Sequence, residues 1–186
     1  LNHDIQRGSA AASQQTLESY AFSDFPAESN DWPRFVPSVL TKGVPALSQV
    51  QAPIPLLAKY AAAGMLDESA TGKRSSLVTP LVLKFGDHYY PSFSLMFAAK
   101  SLKVKTEDII IGPEQGITMG GITLDTDPSY RVYPHIYDST DNEAAFRVHS
   151  FHDIYSKNSS DLQFKDKDVL IGITAPSLVD QVTLPG

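Results

Sequence analysis

His149 and His152 stand three residues apart. On a helix that spacing sets two imidazoles on one face, where they could share a divalent metal ion. A zinc site needs at least one further protein ligand, and no third ligand stands at a telling distance from the pair. Ser150 separates the two, and with Asp153 three residues later it reads as the N-cap of a short helix over Phe151–Ser156. His149 then precedes the helix, and the two rings need not point together. His149 and His152 are the metal candidates this chain offers, and surface or packing roles are the simpler account of them. No cofactor is expected.

Other chemistry-bearing residues are weighed the same way. Asp125-Thr126-Asp127-Pro128 places two carboxylates close enough for calcium or magnesium. It lacks the alternating acidic ligands and distal glutamate of a calcium loop, and Asp before Pro is an ordinary turn. No G-x-S-x-G elbow is present for a serine nucleophile. Thr71-Gly72-Lys73-Arg74 is too short for a phosphate loop. With no cysteine, disulfide frameworks, zinc thiolates and cysteine nucleophiles are excluded. Asp180, preceded by Thr174, follows an apolar run, and α/β folds often place ligands in loops after strands. Asp180 and Thr174 are therefore the ligand-binding candidates. The competing role for Asp180 is to cap a turn through nearby backbone amides.

A length of 186 residues suits one domain. Hydrophobic residues make up 42% and charged residues 19%, enough to bury a core. The net charge of −6 disfavours nucleic acid and anionic membrane surfaces as partners, since both attract basic proteins. No apolar run approaches the roughly 20 residues of a membrane span. The start at Leu1 lacks the basic and apolar regions of a signal peptide, and the chain reads as an excised or processed fragment whose anchors lie outside it.

Residues 1–53 read as an irregular, proline-rich segment, with prolines at 26, 33, 37, 45 and 53. Residues 54–186 read as the core. Pro55 to Gly64 is alanine-rich with Pro in its first turn, which predicts a helix stopped by Gly64. Leu77–Phe85 predicts a strand with an edge or bulge at Pro80. Gly86-Asp87 predicts a turn, and His88-Tyr89-Tyr90 the returning strand. Pro91 then opens a helix with Phe93, Met96, Phe97 and Lys100 along one face. Asp108–Ile111 is a short strand. Gly120-Gly121 between Ile117-Thr118-Met119 and Ile122-Thr123-Leu124 is a hairpin signal, because two-residue hairpin turns need positive φ. Tyr130–Tyr137 and Asp168–Thr174 complete the strands. The fold class is α/β of the α+β type: a mixed, largely antiparallel sheet with hairpins and a few short packing helices.

The closing stretch, Lys165-Asp166-Lys167-Asp168 into Val169-Leu170-Ile171-Gly172, then Thr174-Ala175, Asp180 and Pro185, resembles the end of the second-type CHASE domain. Further motifs follow in that family's order. They are Pro53-Ile54-Pro55 with Ala58, Ala61–Ala63 and Gly64; Pro80-Leu81; Gly86 with Tyr90-Pro91-Ser92-Phe93 and Leu95; Ile122-Thr123-Leu124-Asp125 with Ile136-Tyr137; and Phe146, Ser150, Asp153 and Ile154. The likeness covers roughly residues 50–186, the C-terminal portion. Two departures stand out: Gly72 and Arg74 are displaced, with Leu77 in the arginine's usual place, and Pro128-Ser129 replace a common glycine.

The resemblance implies an extracytoplasmic sensory input domain of a bacterial transmembrane signalling protein, an adenylate cyclase, histidine kinase or diguanylate cyclase. It implies perception of a small-molecule or protein signal without catalysis, in the periplasm, with the parent's membrane helices and output domain as partners and a homodimer as a further expectation. Two rivals come from other classes. One is a periplasmic metal-dependent hydrolase using His149, His152 and a carboxylate. The other is a periplasmic protein-interaction module presenting Tyr130, Tyr133 and Tyr137.

Overall fold

A computed structural model describes residues 14–23, 43–66, 78–112, 116–135, 137, 146–156 and 164–173. The chain divides into two compact units, one built on the residues up to Tyr133, the other running from Pro134 to Thr183.

In the first unit, residues 14–18 are helical (α1), and α2 spans Pro55–Ala58. Strands β1 (Thr79–Pro80), β2 (Val82–Phe85) and β3 (His88–Pro91) lead into α3 (Phe93–Ser101). A 3-10 turn at Thr106–Asp108 precedes β4 (Ile110–Gly112), β5 (Gly116–Met119), β6 (Ile122–Leu124) and β7 (Arg131–Val132). The sheets are β1–β7, β2–β3 and β4–β5–β6, and every pairing is antiparallel. This is the mixed, largely antiparallel α/β arrangement that the sequence predicts.

Leu81 is the joint between two of these sheets. Its N–H donates to the Tyr130 carbonyl and its C=O accepts from the Ser92 amide, at 2.8 and 2.9 Å. A regular strand residue would send both groups to the same neighbour. The predicted strand through Leu81 is therefore broken there, directly after Pro80, whose missing N–H falls where β7 requires no donor.

Tyr90-Pro91-Ser92 forms the passage from strand to helix. Pro91 ends β3 rather than opening α3, and Ser92 is the N-cap, its hydroxyl oxygen accepting from the Leu95 amide at 3.2 Å. Tyr90, Pro91, Ser92 and Leu95 are all buried. Of the predicted row Phe93, Met96, Phe97 and Lys100, only Met96 belongs to the buried face of α3, while Phe93 and Phe97 stack on each other with centroids 6.2 Å apart. That buried face is Leu95, Met96 and Ala99. These three join Leu81, Val82, Ile117, Met119 and Tyr130 in the core, where each large aliphatic side chain contributes roughly 1.5–3 kcal/mol.

Both edges of the β2–β3 hairpin are covered by backbone from distant segments. On the β2 side, the Leu47 amide donates to the Lys84 carbonyl and the Lys84 amide to that of Pro45. On the β3 side, the Phe22 amide donates to the Tyr89 carbonyl, and Met65 bonds to Pro91 and Phe93. Unpaired edges invite pairing with other chains, and these guards close both. Pro91 suits its place, since only its carbonyl is used there.

Helix α2 ends at Ala58, six residues before the predicted stop. Leu56 and Leu57 remain exposed, and alanine propensity without packing does not hold a short helix. Gly64 has another job. A Cβ there would lie 2.5 Å from the Phe93 Cα and 2.7 Å from the Ser92 carbonyl oxygen, so only glycine lets residue 64 lie against the start of α3.

In the second unit, α4 spans Phe151–Ser156 as predicted. Residues 168–173 form no strand. Leu170 and Ile171 are exposed, and an apolar run becomes a strand only where a partner supplies a ladder; among the described residues none does. The strand predicted over Tyr130–Tyr137 shrinks to β7. Tyr130 is a turn residue at φ 55, and residues 133–135 leave the ladder at Pro134.

Candidate ligand-binding cleft

The first unit carries a cleft of about 910 Å3, within the size range of ligand sites. One wall is the continuous segment of residues 46–54; the others come from α2, residues 63–66, Leu17, Tyr20, Tyr90 and Pro91. Ala46 is held through the bonds of its neighbours to Lys84, Met65 through Pro91, and Tyr90 by burial in β3. The Tyr20 hydroxyl shares its proton between the carbonyls of Ala58 at 3.1 Å and Ala61 at 3.4 Å, tying the N-terminal turn to the end of α2 and the residues just after it. A smaller cavity of about 560 Å3 shares Tyr20 and Ala63 with the cleft.

No charged side chain lines the cleft among the described residues; its polar groups are Tyr20, Ser48, Gln49, Gln51 and Tyr90. Ile54, Leu57 and Leu66 each line it while exposing about 60% of their surface. Burial holds the Tyr90 phenol above its ordinary pKa, with the negative charge of Glu18 adding to the effect, so Tyr90 enters the cleft neutral. The arrangement suits binding of an uncharged group through apolar contact and a few hydrogen bonds.

The acidic turn forms a closed local unit. Asp127 Oδ1 accepts from the amides of Ser129 and Arg131, both at 2.9 Å, and Oδ2 accepts from Arg131 Nε at 2.7 Å. The guanidinium also lies 2.7 Å from Oδ2 through its terminal nitrogen. Tyr130 N–H donates to the Asp127 carbonyl and Asp127 N–H to that of Arg131. This is a tight turn of three residues, 128–130, closed between Asp127 and Arg131, with its last residue, Tyr130, left-handed at φ 55. The Tyr130 ring sits in the core, and burial raises the pKa of its phenol. Inside the loop, the Ser129 hydroxyl is buried with no hydrogen-bond partner among the described residues.

His149 packs edge-on against Phe164 with ring centroids 6.1 Å apart, while the His152 ring lies 3.4 Å from the Ser156 hydroxyl. The two thus have separate neighbours, and no group of three or more His, Asp or Glu able to hold a metal forms among the described residues. Tyr130 is buried, whereas Tyr133 and Tyr137 are exposed; Tyr137 contacts His135 and Phe146 edge-on. Thr174 and Asp180 lie outside the described residues.

A family model described as the CHASE2 domain matches residues 9–186. The chain belongs to the CHASE2 domain family. This is a family of extracellular sensory, non-catalytic domains, and membership gives the chain a sensory role in signal transduction outside the cytoplasm. The match takes in the stretch before residue 50, where the sequence motifs are silent. No curated protein and no solved structure matches the chain. Among the described residues, no helix is long and apolar enough to cross a membrane.

Several CHASE2 motif positions now have structural reasons. Tyr90-Pro91-Ser92 and Leu95 build the passage into α3, Pro80-Leu81 the joint between sheets, and Gly64 the close approach to α3. The cleft residues escaped the reading of single side chains. Their signal was an absence: no charged residue occurs between Lys42 and Lys59.

Proposed function

We propose that this CHASE2 domain is the extracytoplasmic input domain of a bacterial transmembrane receptor and binds its signal in the cleft beside Tyr20 and Tyr90. The parent protein would carry an adenylate cyclase, histidine kinase or diguanylate cyclase output. The family match over residues 9–186 carries this reading, and the uncharged cleft supports the choice of site. In mechanism, a signal that binds one of two arrangements of the domain more tightly shifts their populations by its differential affinity. Membrane helices in the parent would pass the shift to the output domain. The parent gene tests this. It is expected to encode a run of about 20 apolar residues and a cyclase or kinase region. A parent without any membrane span or output region would overturn the reading.

A further inference from the structure

Residues 48–64 run along the cleft between two fixed ends. At one end the Leu47 amide donates to the Lys84 carbonyl. At the other the Met65 amide donates to the Pro91 carbonyl, the Phe93 amide donates to that of Met65, and Gly64 lies against Ser92 and Phe93. Between these anchors the backbone bonds among the described residues are local: Leu57 and Ala58 donate to the Ile54 carbonyl, and Tyr60 to that of Leu57. No described side chain of residues 54–66 is buried. Among the described residues, one group reaches residues 55–62 by hydrogen bond from elsewhere in the chain. It is the Tyr20 hydroxyl, which donates to the carbonyls of Ala58 and Ala61. The facing wall is different: Tyr90 and Pro91 are buried in the β2–β3 hairpin.

We propose that residues 54–63 are a lid on the cleft and that the Tyr20 hydroxyl is its latch. The inference rests on the reading of this cleft as the signal site and names how that site is regulated. A segment with little buried surface and local bonds opens at low cost, and closing segments of this kind gate many ligand sites. Leu57 lines the cleft from the lid, Tyr20 from the N-terminal turn, and Tyr90 and Pro91 from the fixed wall. Tyr20 and Ala63 also line the smaller cavity, so releasing the latch changes the wall that the two cavities share. A signal that bridges Leu57 and Tyr90 favours the latched lid by its differential affinity. The latch then holds the N-terminal turn, itself bonded to β3 through Phe22 and Tyr89, to the closed lid.

The test is native-state hydrogen exchange of the 186-residue chain and its Tyr20→Phe variant, which keeps the ring and removes only the hydroxyl. One ordinary net hydrogen bond changes an opening equilibrium about fivefold. The amides of Leu57, Ala58 and Tyr60 should therefore exchange about fivefold faster in the variant. Those of Leu81 and Ser92, bonded within the fixed part, should keep their rates. Because the chain has no cysteine, spin labels placed through Leu56→Cys on the lid and Asp87→Cys at the β2–β3 turn report one distance. Its distribution should broaden when Tyr20→Phe is added. Tyr60→Phe, which removes an exposed hydroxyl on the lid itself, should change neither reading. Unchanged lid amides, equal acceleration at Leu81 and Ser92, an unaltered distance distribution, or the same effect from Tyr60→Phe would each overturn the proposal. These measurements need no ligand, so their failure leaves the parent gene to decide the sensory reading, and a parent without a membrane span would leave the lid standing.

Discussion

Asp127 holds the β6–β7 loop through two kinds of bond, and substitution separates them. Asp127→Ala removes both backbone bonds to Oδ1, each about 1 kcal/mol. It also removes the pair with Arg131, whose partners are 32% and 26% exposed on their side chains and which is therefore discounted to at most about 1 kcal/mol. The expected loss is about 3 kcal/mol, which for a chain of this length lowers the melting temperature by about 6–12 °C. Asp127→Asn keeps an oxygen for the Ser129 and Arg131 amides and loses only the charge. Arg131→Ala loses only the pair. Each should cost about 1 kcal/mol or less, and the double variant little more than either single one. The loop matters because Tyr130 must stay at φ 55, a conformation costing a non-glycine residue roughly 1–2 kcal/mol. Urea unfolding followed by circular dichroism reads all four variants. If Asp127→Ala is no worse than Arg131→Ala, the carboxylate's backbone bonds contribute nothing, and the account of this loop is wrong.

Gly64→Ala forces a methyl group into the backbone of Ser92 and Phe93 and should lower the urea midpoint by the equivalent of about 1–3 kcal/mol, whereas Gly43→Ala, which meets nothing within 4 Å, should not. Ser129→Ala removes a buried hydroxyl that has no partner among the described residues and should raise the melting temperature, by up to about 1 kcal/mol in stability; a clear loss would mean that the hydroxyl is bonded in solution. Burial raises the Tyr90 and Tyr130 pKa values in the folded chain, so the folded state keeps these protons to higher pH than the unfolded state. Their contribution is complete below the ordinary tyrosine value of about 10 and is lost as pH rises through the folded values. Urea midpoints from pH 8 to 11 should fall, and the Tyr90→Phe, Tyr130→Phe double variant should fall less steeply; parallel curves would contradict this.

Local rules were enough wherever a neighbour within a few residues fixes the conformation. Gly120 and Gly121 take φ values of 56 and 79, and the hairpin they join is where their type and spacing put it. α4 likewise starts directly after Ser150. Errors arose where distant packing decides. Pro favours a first helical turn, which predicts Pro91 as the opener of α3, yet the capping oxygen belongs to Ser92 one residue later. The alanine-rich run from Pro55 to Gly64 predicts a longer helix, but Leu56 and Leu57 stay exposed and α2 stops at Ala58. Val169-Leu170-Ile171 has strand composition, and composition does not supply a partner strand. The cleft is set by distant contacts for the same reason: residues 45–47 are bonded to Lys84, and Tyr20 to Ala58 and Ala61. The histidine spacing was visible, but the separate neighbours of the two rings were not.

The double guarding of the β2–β3 hairpin also sets an order of events in folding. The hairpin itself is local, turning at Gly86-Asp87, and such units close within about 1–10 μs. Its guards come from Phe22, residues 45–47 and Met65, far away along the chain, and the entropy of closing those loops must be met before any of their bonds forms. Nascent chains therefore pass through an interval in which the hairpin exists with bare edges, and topology rather than strand composition fixes how long that interval lasts. Crowded or concentrated refolding is where this chain is most exposed to pairing with its own copies. Dilution during refolding should improve recovery more than any change of the exposed surface of α3.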